Sequence, residues 1–300
     1  MIDVIITSYK EPKSTLKAVK VFLKQLGEED RITVVDPFSE VEEFLKSKIK
    51  DKRFNFFLDP GEGKSYGLNI LFQEMNGREE DIFILSDGDV YVNDNAVESI
   101  LKEFKDKKVG CVTGKPVSVD SRKTKYGYWS HFLFAGIDKA RKKLNKHGKF
   151  FECSGYLFAI RKGIVLDFPL ETSEDSIIPY LFWKKGYKIK YADKAEVYVK
   201  NPENWKDWLA QKVRNIKAHE NLNKIEKNMP RTKSFFNEIK EGWYFLFIYP
   251  KKLKEIVWTI QLYFARLYLY FKAFLELKKK KGYGDGWRGK VTTESTRMEG

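Results

Sequence analysis

Cysteine is nearly absent: Cys111 and Cys153 are the only two in 300 residues. That is too few for a disulfide framework or a zinc cluster, and it suits a reducing compartment. Histidine is almost as scarce. His131, His147 and His219 are scattered, fit no metal-ligand spacing and are assigned no role. No Ser-His-Asp arrangement is recognisable, and Lys64-Ser65 lacks the glycine spacing of a phosphate-binding P-loop. There is no internal repeat. The opening MIDVIITSYKEP has no basic segment followed by an apolar run, so no secretory signal is expected.

Core-forming material is abundant, at 42% hydrophobic and 15% aromatic residues, which excludes a disordered chain. The length fits one large domain or two smaller ones. Lys and Arg number 56 against 42 acids, a net charge of +14. Such an excess points to a polyanionic partner: nucleic acid, an anionic membrane surface or phosphorylated substrates. A lysine- and glutamate-solvated surface explains part of it equally well. No nucleic-acid-binding module is recognisable, so nucleic acid is not expected as a partner.

Residues 1–120 alternate regularly. Strands are expected at Ile2–Tyr9, Arg31–Val35, Phe54–Leu58, Asp81–Leu85 and Val109–Thr113. Helices are expected at Ser14–Gln25, Glu40–Lys50, Ser65–Met75 and Asn95–Lys105. The strands are apolar runs without alternation, the pattern of a sheet covered on both faces. Strands separated by helices imply right-handed crossovers and a mostly parallel sheet. Ligands of such sheets bind beyond the carboxyl ends of the strands. Thr7, Ser8, Asp36, Asp59, Asp87 and Asp89 are therefore the residues of interest. Further on, Lys125–Lys146 reads as one long helix or two. "TSEDSIIPYLFWKKGY" reads as a helix capped by Thr172 or Ser173. "KIKYADKAEVYV" reads as a strand pair, and a helix is expected to start near Pro202 or Glu203.

The segment "ILSDGDVYV" ends an apolar strand on Asp87-Gly88-Asp89. Two carboxylates so close are unfavourable unless a cation lies beside them. Oxygen donors favour Mg²⁺ or Mn²⁺, which in turn bind phosphate oxygens. A simple turn explains the same triplet.

The order of "VIITSYKEP", "VVDPFSE", "GEGKSYGLN", "ILSDGDVYV", "CSGYLFAIRKG", "SEDSIIPYLFWKKGY" and "QKVRN" resembles the family 2 inverting glycosyltransferases of the GT-A fold. The likeness is to the branch of the cellulose, chitin and hyaluronan synthases, with their D-x-D, E-D and Q-x-x-R-W motifs. It implies an α/β GT-A fold over residues 1–228, with a nucleotide-sugar half (1–120) and an acceptor half (121–228). It implies that Thr7 and Tyr9 line the base pocket and that Asp36 accepts a hydrogen bond from the base; a loop cap is the alternative for Asp36. Where many relatives have a second acid, this chain has Pro37. Lys64, before a helix N-terminus, is placed beside the nucleotide; a solvated lysine is the alternative. Asp87 is expected on the ribose and metal, Asp89 on the metal and diphosphate, with Mn²⁺ or Mg²⁺ as cofactor. Glu174 joins the donor site, and Asp175 is the catalytic base that takes the acceptor hydroxyl proton. At a helix start both acids are also explained by the helix dipole. Gly155 lets the backbone pass close to the donor sugar. Gln211 and Arg214 share a helix face, and Arg214 can clamp a diphosphate, or stand as an exposed helical charge. Asn215 replaces the tryptophan of the synthases, which weakens the case for processive polymerisation.

After residue 230 the composition turns aromatic, then basic. Ile256–Leu277 is mostly apolar but interrupted by Gln261, Arg266, Lys272 and Glu276, with lysines at both ends. A mid-span arginine costs roughly 2.5–3.5 kcal/mol, and spanning would send one lysine cluster outward. Residues 229–281, chiefly 243–281, are therefore expected to lie on the anionic cytoplasmic face of the cell membrane as a monotopic anchor. A single transmembrane helix, or burial against the catalytic domain, is the alternative. A membrane site suggests a lipid-linked or saccharide acceptor. Residues 282–300 read as a polar tail.

Overall fold

The computed structural model describes residues 1–170, 172–230 and 245–278. The first half runs β1 (Ile2–Thr7), α1 (Pro12–Leu23), β2 (Arg31–Asp36), α2 (Ser39–Lys48), β3 (Phe54–Leu58), α3 (Lys64–Glu74) and β4 (Ile82–Asp87). Then come β5 (Tyr91–Val92), α4 (Ala96–Glu103), β6 (Val109–Ser118), α5 (Lys125–Lys146) and β7 (Leu157–Arg161). The chain continues through α6 (Glu174–Lys184), β8 (Lys188–Val199), α7 (Trp205–Ile225), α8 (Phe245–Ile248) and α9 (Leu253–Lys278).

The eight strands form one sheet in the order β3-β2-β1-β4-β7-β6-β8-β5. From β3 to β4 every pairing is parallel, as the alternating pattern predicts. Val4, Ile5 and Ile6 are wholly buried, so both faces of β1 are covered and no alternation can show. The parallel series does not continue directly into β6. β7, apolar but for Arg161 and buried along its length, inserts antiparallel between β4 and β6. Its Arg161 donates to the carbonyls of Val109 (2.7 Å) and Phe104 (2.8 Å), tying the start of β6 to the end of α4.

Three sequence expectations need correction. "KIKYADKAEVYV" is one strand, β8, because both of its ends pair with the same strand, β6, across a register shift. α7 begins at Trp205, because the Asn204 side chain accepts from the Asp207 amide (3.0 Å) and caps the helix there. Neither Thr172 nor Ser173 caps α6 through its side chain. Thr172 donates to the Pro169 carbonyl (2.6 Å), and the Ser173 hydroxyl donates to Asp175.

The helix α9 packs on α5 and α7. Thr259, Leu262, Ala265, Leu269 and Ala273 recur every three or four residues and form its buried stripe. Glu255 pairs with Arg122 (3.0 Å), Tyr128 shares a hydrogen bond with Thr259 (2.6 Å), and the Trp129 indole donates to the Trp258 carbonyl (2.7 Å). The opposite face leaves Phe264, Leu267, Phe271 and Phe274 exposed. Among the described residues no helix is long and apolar enough to cross a membrane. The tail from 282 and lysines 279–281 lie outside the described residues.

Candidate active site

Strand register brings the first site residues together. β1 and β4 run in parallel with Thr7 opposite Asp87, so both side chains emerge at the carboxyl edge. The Thr7 hydroxyl donates to Asp87 Oδ1 (3.1 Å). Just beyond, a Cβ on Gly88 would sit 2.7 Å from Thr15 Oγ1 and 3.1 Å from Ser8 Cβ. The glycine is thus required by packing against the start of α1, and it holds Asp87 and Asp89 at a fixed spacing. Asp89 is 7% exposed and faces the same cavity as Asp87.

Lys64 is the first residue of α3, entered through Gly63 at φ 112°, a conformation that favours glycine. Its ammonium reaches Asp87 Oδ1 at 2.7 Å and Glu174 Oε1 at 2.6 Å. Burial pushes the Lys64 pKa down, but the Asp87 and Glu174 charges more than offset this and hold it above the usual lysine range. Glu174 is likewise held above its ordinary value. Burial raises it, Lys64 opposes, and the Asp175 and Asp87 charges raise it further. One lysine thus ties the end of β4 to the start of α6.

Asp175 follows immediately. Its Oδ2 accepts from the Gly155 amide (3.0 Å), and its Oδ1 from Ser173 Oγ and, at 3.4 Å, from Ser176 Oγ. Its carbonyl accepts from the Cys153 amide (2.9 Å). The carboxylate is therefore oriented by a backbone N–H and by hydroxyls of its own turn. Gly155 serves here as a backbone donor to Asp175.

A cavity of about 1370 Å³ joins these groups. Thr7, Tyr9, Lys64, Asp87, Asp89, Gly155, Glu174, Asp175, Gln211 and Arg214 all line it. Gln211 is partly buried and Arg214 is exposed on α7. Asp36 is placed differently from the other expected residues. It is fully buried and is not part of the cavity wall. Its carboxylate accepts from the amides of Lys10 (3.0 Å) and Phe38 (3.0 Å), and burial raises its pKa. It fastens the loops after β1 and β2. Asp59 is likewise buried, accepting from the Gly61 amide (3.0 Å).

The structure adds residues that sequence reading left without a role. Glu152 Oε2 accepts from Ser176 Oγ (2.6 Å) and lies 3.3 Å from His219 Nδ1. Arg141 donates to the Glu152 carbonyl (3.1 Å). Both His219 and Arg141 line the cavity. A signal for His219 existed: Gln211, Asn215 and His219 recur every four residues on one face of α7.

A family model described as Glycosyl transferase family 2 matches residues 3–167. The chain belongs to glycosyl transferase family 2. It is 27% identical over 179 residues to a hyaluronan synthase of Streptococcus pyogenes, covering 54% of this chain and 41% of that protein. It is 24% identical over 276 residues to the poly-beta-1,6-N-acetyl-D-glucosamine synthase of Staphylococcus aureus (strain COL), covering 89% and 64%. The chain thus spans less than two thirds of either relative. Among solved structures, S. aureus TarS 1–349 in complex with UDP-GlcNAc matches with a TM-score of 0.49 at 15% identity, covering 85% of this chain and 77% of that one. GalNAc-T7 with UDP, GalNAc and Mn²⁺ matches with a TM-score of 0.49 at 18% identity, covering 83% and 58%. The mixed sheet flanked by helices is the GT-A architecture that the ordered motifs of the family 2 member imply.

Among the described residues no group of three or more metal-ligating side chains converges. The donor set at the edge of β4 is two carboxylates, Asp87 and Asp89. That set fits a hard ion such as Mg²⁺, which binds through one or two carboxylates and fills its shell with water and substrate phosphate oxygens.

Proposed function

We propose that this chain moves a sugar from a nucleoside-diphosphate sugar, UDP-linked by preference, to a hydroxyl of a lipid-linked saccharide, with inversion at the anomeric carbon. One observation carries the reading. Asp175, oriented by Gly155 and Ser173, faces the same cavity as the Asp87 and Asp89 pair, and Lys64 joins the two groups through Asp87 and Glu174.

On this reading the donor lies over the carboxyl ends of β1 and β4. Thr7 and Tyr9 border the base and ribose, while Lys64 and Arg214 supply cations for the diphosphate. Asp87 and Asp89 would hold Mn²⁺ or Mg²⁺, which neutralises charge growing on the departing nucleoside diphosphate. Asp175 takes the proton of the acceptor hydroxyl as that oxygen bonds to the anomeric carbon. The sugar–phosphate bond breaks with its electron pair leaving on the diphosphate. No enzyme-bound intermediate forms, so one displacement inverts the centre.

The outer face of α9 supports a monotopic seat on an anionic cytoplasmic leaflet. It exposes Phe264, Phe271 and Phe274 between Lys251, Lys252 and Lys254 at one end and Lys278 at the other. Its inner face is packed on α5 and α7, so anchoring and docking use different sides of one helix. Polyprenyl phosphate as the direct nucleophile is the second reading, favoured by Lys139, Lys143 and Lys149 along the acceptor side of the cavity. A phosphate nucleophile needs no strong base, so Asp175→Asn separates the two.

The test is nucleoside diphosphate release from a panel of nucleotide-sugars with Mn²⁺ and a membrane lipid extract. Release with one donor, reduced roughly a hundredfold or more in Asp175→Asn, is expected for a hydroxyl acceptor. Release unaffected by that substitution would favour the phosphate nucleophile. No release from any donor would refute the enzymatic reading.

A further inference from the structure

Arg141 is 7% exposed, yet no carboxylate lies within ion-pair distance of it among the described residues. Its hydrogen bond goes to the Glu152 carbonyl (3.1 Å), and its guanidinium lies 5.9 Å from the Tyr191 ring. Nη1 is buried with no hydrogen-bond partner. A buried cation is ordinarily paired, and a guanidinium offers five donors. Arg141 therefore has donor capacity that the described residues do not use, in a residue that lines the cavity.

Its position relative to the candidate base is fixed by contacts. Arg141 holds the Glu152 carbonyl, Glu152 accepts from Ser176, and Ser176 donates to Asp175. Arg141 thus stands on the side of Asp175 served by Glu152 and Ser176. The donor-side ion pairs reach Asp175's neighbour through Lys64 and Glu174 instead. Lys139 and Lys143, on the same helix, line the cavity beside it. Several cations suit a multiply charged group better than a single carboxylate. The cavity also reaches Leu262, Tyr263 and Tyr270 of α9, the helix whose outer face is apolar and exposed. The cavity wall beside Arg141 thus includes apolar and aromatic side chains of that helix, which suit an apolar chain.

We propose that Arg141 forms an acceptor-side subsite for the phosphate of a lipid-linked acceptor. The inference rests on the glycosyl-transfer reading and adds the chemistry of the acceptor: an oxyanion held by a planar guanidinium fork, followed by an apolar tail.

The test uses the full chain with saturating UDP and Mg²⁺, so that the donor side is filled. Thermal melting is followed with dodecyl phosphate, with dodecyl maltoside as the neutral head group, and with inorganic phosphate. Dodecyl phosphate should raise the Tm of the wild type, and dodecyl maltoside should not. Arg141→Met should melt close to the wild type without probe, since it removes a buried charge with no carboxylate partner along with one hydrogen bond to the Glu152 carbonyl. In it, the dodecyl phosphate needed for half the shift should rise roughly tenfold or more. Should Arg141→Met fail to fold, Arg141→Lys carries the test, keeping the charge but losing the fork and part of the shift. An equal shift in the variant overturns the subsite. An inorganic phosphate shift as large as that of dodecyl phosphate overturns the lipid. Failure of the transfer reading is read separately: no donor turnover by the wild type, with the Arg141-dependent shift intact, sinks that reading and leaves the subsite standing.

Discussion

The proposed donor edge of the cavity and the proposed acceptor wall are built in different ways. At the proposed donor edge, Thr7 and Asp87 are placed by the register of two adjacent parallel strands, and Asp89 follows through the tightly packed Gly88. On the acceptor wall, Arg141, Glu152, Asp175 and His219 come from two helices, a loop and a helix start, held by contacts across tens of residues. The donor edge is acidic and clamped by one lysine. The acceptor wall is basic and aromatic, and continues into a helix whose far side is apolar. Strand ends supply a rigid carboxylate pair, which the proposed metal-held diphosphate requires. The proposed acceptor would instead meet a wall assembled from helices and a loop.

The largest expected effect breaks the comparison at Asp175. Asp175→Asn should lower transfer roughly a hundredfold to ten-thousandfold while leaving UDP affinity unchanged, measured by single turnover alongside equilibrium binding. Loss of UDP binding in that variant would show that the two sides are not separable.

Next come the two faces of α9. Leu269 is fully buried against α5 and α7, so Leu269→Ala should cost about 2–5 kcal/mol in denaturant unfolding. Phe271→Ser on the exposed face should change stability by no more than about 0.5 kcal/mol. It should nevertheless weaken sedimentation with anionic vesicles. Equal vesicle binding by Phe271→Ser and wild type would remove the membrane role from that face.

The smallest effect concerns how α9 is fastened. The Arg122 hydrogen bond, stronger here than the opposing effect of burial, holds Glu255 below its ordinary 4.5. Its contribution is thus fully present above pH 4.5 and is lost as pH falls through the depressed value. Between neutral and acid pH, Glu255→Gln should lose less Tm than wild type. A parallel decline of both would place the acid sensitivity elsewhere.

The same contrast explains what was legible in the sequence. The strands β1 to β4 and the aspartates after them were readable, because apolar runs and strand ends are local features. The insertion of β7 between β4 and β6 was not, because five buried residues carry no sign of which neighbours they pair with. Asp36 looked like a ligand-facing strand end; the fold turns its carboxylate onto the amides of Lys10 and Phe38. His219 looked isolated because its partner, Glu152, is far away in sequence. Ile256–Leu277 read as a choice between membrane and protein; a helix with a small-residue stripe on one side and phenylalanines on the other serves protein packing and leaves an apolar face outward.

The central claim is that Asp87 and Asp89 bind the donor diphosphate through a divalent ion. Calorimetric titration of UDP, with and without Mn²⁺, into the wild type and Asp89→Ala tests it directly. The account predicts binding that strengthens sharply with Mn²⁺ in the wild type and hardly at all in Asp89→Ala. Equal UDP affinity in all four titrations would contradict it.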